Sequence, residues 1–175
     1  KDYDRFDENE RRKFATDIYQ STNNIFRLLQ NLLEWSRSQT GRLIISPRKI
    51  ELEKIVENAF SVLRSLAEQK NISIQKDFDD KLVLFADPQM IETVLRNLIN
   101  NAIKFTPENG KVEISAHQID GHVNVCVKDS GIGISEEEVQ NLFRIDSKVK
   151  RKVTNNEDGS GLGLILCREF INKNN

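Results

Sequence analysis

The stretch Asn97-Leu-Ile-Asn-Asn-Ala-Ile-Lys-Phe-Thr106 most constrains the fold and use of this chain. It reads as an amide-rich helix. Asn97 and Asn101 are four residues apart and Lys104 is three further on, so all three project from one helix face. Two glycine-bearing segments follow in order: Asp129-Ser-Gly-Ile-Gly133 and Gly159-Ser-Gly-Leu-Gly163. A polar helix face, a carboxylate on a glycine turn and a second glycine cluster set this chain apart from a generic globular domain.

The rest of the pattern places those segments. Residues 3–39 read as one long helix, able to span about 55 Å at 1.5 Å per residue. Ile18, Thr22, Ile25, Leu29, Leu32 and Ser36 alternate spacings of four and three, an a/d seam. Leu28 and Trp35 widen it. One short helix cannot bury such a stripe alone. It packs either on its own domain or in a helical bundle shared between subunits. Gly41 ends the helix, and 42–46 is expected as a short strand before Pro47. Residues 51–69 are expected as one helix, from the spacing of Leu52, Ile55, Val56, Ala59, Leu63 and Leu66. Strands follow around Ile72 and Ile74 and over 82–85. Asp87-Pro88 opens the next helix, with Asp87 as its cap. That helix runs to Lys104 and stops before Pro107. Val112, Ile114 and Ala116 share one strand face, and Val123, Val125 and Val127 one face of the next strand. Asp120-Gly121 joins these strands as a hairpin. Ser135 with Glu138 forms a capping box. Residues 144–158, rich in Lys and Arg without apolar periodicity, read as a mobile loop. A last helix starts near Gly161. The expected domain is α+β, a two-layer α/β sandwich with a mixed or antiparallel sheet covered by helices on one face.

Composition narrows the partners. Of 175 residues, 38% are hydrophobic and 30% charged, with a formal net charge of -1. That balance gives no case for contact with nucleic acid or an anionic membrane. No apolar run reaches the roughly 20 residues of a membrane helix. No signal peptide is visible, and the first residue is not Met. The chain reads as a fragment of something longer, cytoplasmic itself, with an anchor possible upstream. Cys126 and Cys167 lack metal-type spacing and read as reduced thiols.

The polar segments suggest a chemistry. Neutral amide oxygens on Asn97 and Asn101 are hard donors suited to Mg²⁺ arriving with phosphate oxygens and waters. Lys104 can balance phosphate charge. Asp129 either caps a turn or accepts from the exocyclic amine of adenine; guanine places an oxygen there and would be rejected. Gly131 and Gly133 let the backbone approach a flat ring. Gly159, Gly161 and Gly163 precede a helix, where bare amides can hold phosphate. The spacing differs from both the Walker loop and the Rossmann fingerprint. The basic loop is either a lid facing a triphosphate or a solvated segment. Together these parts are what an ATP site needs.

In this order the three segments resemble the N-box and the two glycine boxes of the catalytic domain of sensor histidine kinases, within the GHKL or Bergerat-fold ATPases. The likeness spans residues 42–174. Leu32-Leu-Glu-Trp-Ser-Arg37 further resembles the end of the second helix of a dimerisation and phosphotransfer hairpin. The resemblance implies residues 1–41 as part of that hairpin and 42–175 as the catalytic domain. It implies a Bergerat-type sandwich binding ATP with Mg²⁺. Asn101 would contact the metal with Asn97 assisting, Lys104 would face the phosphates, and Asp129 would read adenine. Gly131, Gly133, Gly159, Gly161, Leu162 and Gly163 would shape the pocket and lid. The implied partners are the histidine-bearing hairpin, a response regulator receiver domain and a second copy through residues 14–36. Related ATPases carry a glutamate at the position of Asn97; an amide cannot take a proton, so hydrolysis should be slow.

Three departures from the family pattern stand out. The acceptor histidine in its His-Asp/Glu-x-x-x-Pro setting is absent, since His117 and His122 flank the hairpin turn and read as surface residues. The fragment should therefore not phosphorylate itself. The phenylalanine box is abbreviated to Leu142-Phe143-Arg144. The strand or strands expected after the last helix are missing, which would leave an open sheet edge. Competing readings are a dimerising scaffold with a vestigial pocket, a plain GHKL ATPase and an anti-sigma kinase.

Overall fold

The computed structural model describes residues 6–39, 44–144 and 162–174, with some α1 side chains omitted. The chain divides into two compact units, Lys1–Leu43 and Ile44–Asn175. The first is the helix α1, Glu8–Gln39. Its seam residues Ile18, Ile25, Leu29 and Leu32 are all exposed on the single chain. The side chains of Leu28 and Trp35 lie outside the described residues.

The second unit runs β1 (Arg48–Glu51), α2 (Leu52–Ser61), α3 (Arg64–Gln69), β2 (Ser73–Asp77), β3 (Val83–Ala86), α4 (Pro88–Phe105), β4 (Lys111–Ile119), β5 (His122–Asp129), α5 (Glu136–Asn141) and α6 (Leu162–Lys173). The strands form a two-stranded antiparallel ribbon, β1-β3, and a three-stranded mixed sheet, β2-β4-β5. In the mixed sheet β2 is parallel to β4, and β4 is antiparallel to β5. One core joins the layers: Leu52, Val56, Leu95, Ile99 and Ile103 from the helices, Val112 and Ile114 from β4, and the half-buried Val123, Val125 and Val127 of β5. The sandwich expected from the sequence is present, with helices over one face of a mixed sheet. Among the described residues β5 lies at one edge of the mixed sheet.

Local chemistry sets the element boundaries. Asp120 (φ 51) and Gly121 (φ 82) are both left-handed, as a two-residue turn matched to strand twist requires. His117 and His122 are exposed beside it. The capping box forms at α5, with Ser135 accepting from the Glu138 amide and Glu138 accepting from the Ser135 amide. Cys167 is buried and its thiol is pushed up to about 12 by that burial, so it is a neutral filler.

Two expectations are corrected. The first strand lies after Pro47. Residues 42 and 43 are outside the described set, and 44–46 are not strand. Ile44 is 87% exposed, whereas Ile50 is buried where β1 pairs with β3. The helix expected over 51–69 is broken. The Ser61 hydroxyl donates to the Asn58 carbonyl, and the Leu63 amide donates to Phe60 in a tightened turn. The break re-aims α3 so that Leu63 and Ala67 are both buried, leaving Val62 exposed.

Asp87 is the densest joint of this unit. Its buried carboxylate accepts from the amides of Gln89 (3.0 Å) and Met90 (3.2 Å) at the start of α4, and from the Ser46 amide at 2.9 Å. Its own amide donates to Asn174 Oδ1 at 2.7 Å. Asp87→Ala removes one cap and orphans a third amide, and should lower unfolding stability by about 2 kcal/mol. Asp87→Asn should lose less. Urea unfolding followed by circular dichroism measures both.

Candidate functional site

Three of the residues singled out by the sequence lie on α4. Asn97, Asn101 and Lys104 are all half-buried on it. Val94, Leu95, Ile99, Ala102 and Ile103 turn into the core, which leaves the amide face outward. At one end of that face stands α6. The Asn97 Nδ2 donates to the Thr93 carbonyl at 2.9 Å, which leaves Oδ1 on the far side of the amide. A methyl group at Gly163 would sit 3.0 Å from that Oδ1, so the glycine lets α6 begin against Asn97.

At the other end stands the loop after β5. The Phe105 carbonyl, at the end of α4, accepts from the Ile132 amide at 3.3 Å. Asp129 closes a local turn by accepting from the Gly131 amide at 2.8 Å. A Cβ on Gly131 would lie 2.5 Å from the Phe105 carbonyl oxygen and 2.6 Å from Asp129 Oδ1. Only glycine permits that approach. Gly133 has φ +73 and open space around it, so there the backbone conformation is what favours glycine. Asp129 is exposed, and one of its oxygens is engaged by the turn. Asn97 and Phe105 are eight residues apart, about 12 Å along the helix. Asn101 and Lys104 lie between, with the Gly163 and Asp129 segments at the two ends. Lys104 Nζ stands 5.7 Å from the centre of the Phe105 ring.

Gly159, Gly161 and the basic segment 145–158 lie outside the described residues. Phe143 of the shortened phenylalanine box is exposed, with the Arg168 guanidinium 5.4 Å from its ring centre. Among the described residues no group of three His, Cys, Asp or Glu side chains could hold a metal by itself. No helix there is long and apolar enough to cross a membrane.

Sequence reasoning missed Lys70. It lies just past α3, and its ammonium donates to the carbonyls of Ile103 (2.8 Å), Lys104 (3.2 Å) and Thr106 at the end of α4. A lone lysine between two elements gives no pattern from which such long-range contacts could be read.

An amide-faced helix with the start of α6 at one end and a glycine turn at the other, over this sandwich, defines a class. The chain belongs to the histidine kinase-, DNA gyrase B- and HSP90-like ATPases, whose family profile matches residues 86–175. Its relatives are sensor kinases. It is 33% identical over 147 residues to the adaptive-response sensory kinase SasA of Rippkaea orientalis, covering 83% of this chain and 37% of that protein. The nucleotide-free catalytic domain of the histidine kinase ThkA is 29% identical, with a TM-score of 0.63 over 74% of this chain and 82% of the other. ThkA in complex with the response regulator TrrA matches the fold over 97% of this chain and 46% of that one, at 24% identity and TM-score 0.75. The chain spans only 13% to 40% of the length of curated sensor relatives. What it shares with those sensor kinases is their ATPase part.

Gly131→Ala tests the geometry directly. The new methyl meets a backbone carbonyl, so the turn must open, and stability should fall by about 1–3 kcal/mol. Chemical denaturation measures it; an unchanged midpoint would contradict the close approach of Gly131 to Phe105.

Proposed function

We propose that this chain is the ATP-binding catalytic part of a two-component sensor histidine kinase. It transfers the γ-phosphoryl of Mg-ATP to a histidine on a dimerisation hairpin, for relay to an aspartate of a response regulator. What carries the reading is the single outward face of α4, which has the Gly163 end of α6 at Asn97 and the Asp129 turn at Phe105. Gly163 and the Asp129 turn thus support a site along the face that carries Asn97, Asn101 and Lys104.

The roles follow from position and chemistry. The free oxygen of Asp129 accepts from the adenine amine. An acceptor there rejects guanine, whose oxygen would face it unpaired. Gly131 and Gly133 bring the loop backbone against the ring. Lys104 sets one positive charge near the phosphates. Gly163, with Leu162 and the glycines at 159 and 161, lets the chain pass close to the phosphates. Asn97 and Asn101 present neutral oxygens. That donor set fits a magnesium ion held jointly with phosphate oxygens, since two amides without a carboxylate cannot neutralise a divalent cation. When bound, the ion would neutralise charge developing on the phosphates. An imidazole nitrogen of the acceptor attacks the γ-phosphorus, the bond to the bridging oxygen breaks, and ADP leaves. Catalysis here is positioning and charge neutralisation, and among the described residues of this face none is a carboxylate or histidine that could activate water. Asn97 cannot act as a general base, which favours delivery to histidine over hydrolysis.

The remaining parts fit this role as proposals. Residues 1–41 form part of the hairpin and 42–175 the catalytic domain. The exposed stripe on α1 pairs with a second copy through residues 14–36, which buries Ile18, Ile25, Leu29 and Leu32. His117 and His122 lie on the β4-β5 hairpin and are not acceptors. The chain works in the cytoplasm.

Two measurements test the reading. By calorimetry, Asp129→Ala should weaken Mg-ATP binding by at least about tenfold, the loss of the hydrogen bond that reads the base. Equal affinity in wild type and variant would refute the adenine role. With radiolabelled ATP, the chain should label the histidine of a separately supplied acceptor hairpin. Absence of label, with ATP binding intact, would refute the transfer role.

A further inference from the structure

We propose that Lys70 is a positioning residue of the nucleotide site, fixing the end of α4 so that the Asp129 turn stands in register with Asn101. This rests on the site reading above. A helix end leaves its last carbonyls without partners. In α4 each of them is answered. Ala102 accepts from the Thr106 amide at 3.0 Å and from its hydroxyl at 2.7 Å. Ile103, Lys104 and Thr106 all accept from the Lys70 ammonium. Phe105 accepts from Ile132, in the loop that begins at Asp129. An ammonium has three hydrogens, and here they meet three carbonyls. The cation also opposes the negative end of the helix dipole.

The backbone around Lys70 is tied to the same place. The Lys70 carbonyl accepts from the Asn109 amide, and the Ser73 amide donates to Gly110, both at 2.9 Å. Asn71 and Asn109 are both left-handed, with φ 50 and 63, and their side chains bond at 2.6 Å. The α3-β2 corner is therefore stapled to the α4-β4 loop. The same loop meets the Asp129 turn: the Ser130 amide donates to the Lys111 carbonyl, and the Lys111 amide donates to Ser130 Oγ. The turn thus hangs from the Phe105 carbonyl and from Lys111. Both anchors belong to the segment that Lys70 organises. Without the ammonium, three carbonyls seek other donors, the last turn of α4 repacks, and the Phe105 carbonyl shifts from Ile132.

The test uses the whole chain with Mg-ATP as ligand, at a temperature where circular dichroism reports the native fold. Lys70→Met should weaken binding by about fivefold or more, given a displaced acceptor at the base. It should also shift the Ile132 amide proton upfield, by loss of its hydrogen bond, while the Gln89 and Met90 amides at the far end of α4 keep their positions. Affinity within about twofold of wild type, or an unmoved Ile132 resonance, overturns the proposal. Lys76→Met removes a lysine paired with Glu53 and Glu57 on α2, away from the end of α4, and should change neither readout. An equal loss of affinity in that variant would overturn the specific role of Lys70. Should Lys70→Met not fold, Lys70→Gln carries the test. An amide supplies two hydrogens to three carbonyls, so at least about a threefold weakening is expected, and wild-type affinity refutes the claim. A wild-type chain that binds no ATP would instead refute the site reading itself.

Discussion

The structure depends on the closing of both ends of α4. Burial fixes only one face of this helix; it says nothing about where the helix starts, where it stops or what meets its ends. Those matters are decided by hydrogen-bond satisfaction. At the start a buried carboxylate, Asp87, takes three amides, one of them from Ser46 ahead of β1. At the finish a single ammonium from Lys70 takes three carbonyls, and the Ile132 amide takes the fourth. Unpaired backbone groups in such places cost about 1–3 kcal/mol each. The chain therefore has little freedom in where α4 lies.

That placement makes the outward face of the helix usable. The polar side chains need only project from a rigid rod, because core residues on the opposite face hold its rotation. The two glycine segments then dock on its ends by different means. Gly163 omits a side chain so that α6 can start against Asn97. Gly131 does so to let a turn press on a backbone carbonyl. Both are geometric permissions: a methyl at Gly131 would meet a backbone carbonyl, and one at Gly163 would crowd the Asn97 side chain. Under the proposed function the site works by positioning and charge, and so depends on such permissions more than on any one reactive group.

Local patterns were legible in the sequence where one short-range interaction decides the outcome. The Asp87-Pro88 start, the Asp120-Gly121 turn and the Ser135–Glu138 box each involve partners within three residues, and each formed as read. The misreadings arose where a distant partner or a competing bond won. Residues 44–46 resemble a strand, but the available partner, β3, pairs with 48–51. The apolar spacing over 51–69 is continuous, yet Ser61 and Leu63 divert two backbone bonds and split the helix. The family was legible from three segments by residue type and order. Lys70 was not, because its partners lie 33 to 36 residues away and nothing in its neighbours marks it.

The sequence by itself determined the parts: an amphipathic helix with an amide face, a carboxylate on a glycine turn, a valine hairpin, a long seam and the family to which they belong. Periodicity and residue chemistry act over a few positions, so these survive without coordinates. The tertiary structure alone decided their assembly. It set which carbonyls Lys70 would fill, that Phe105 and not a neighbour would receive Ile132, and that Asn97 would meet Gly163. Such contacts are choices among many donors and acceptors of equal chemistry, and only packing in three dimensions distinguishes them.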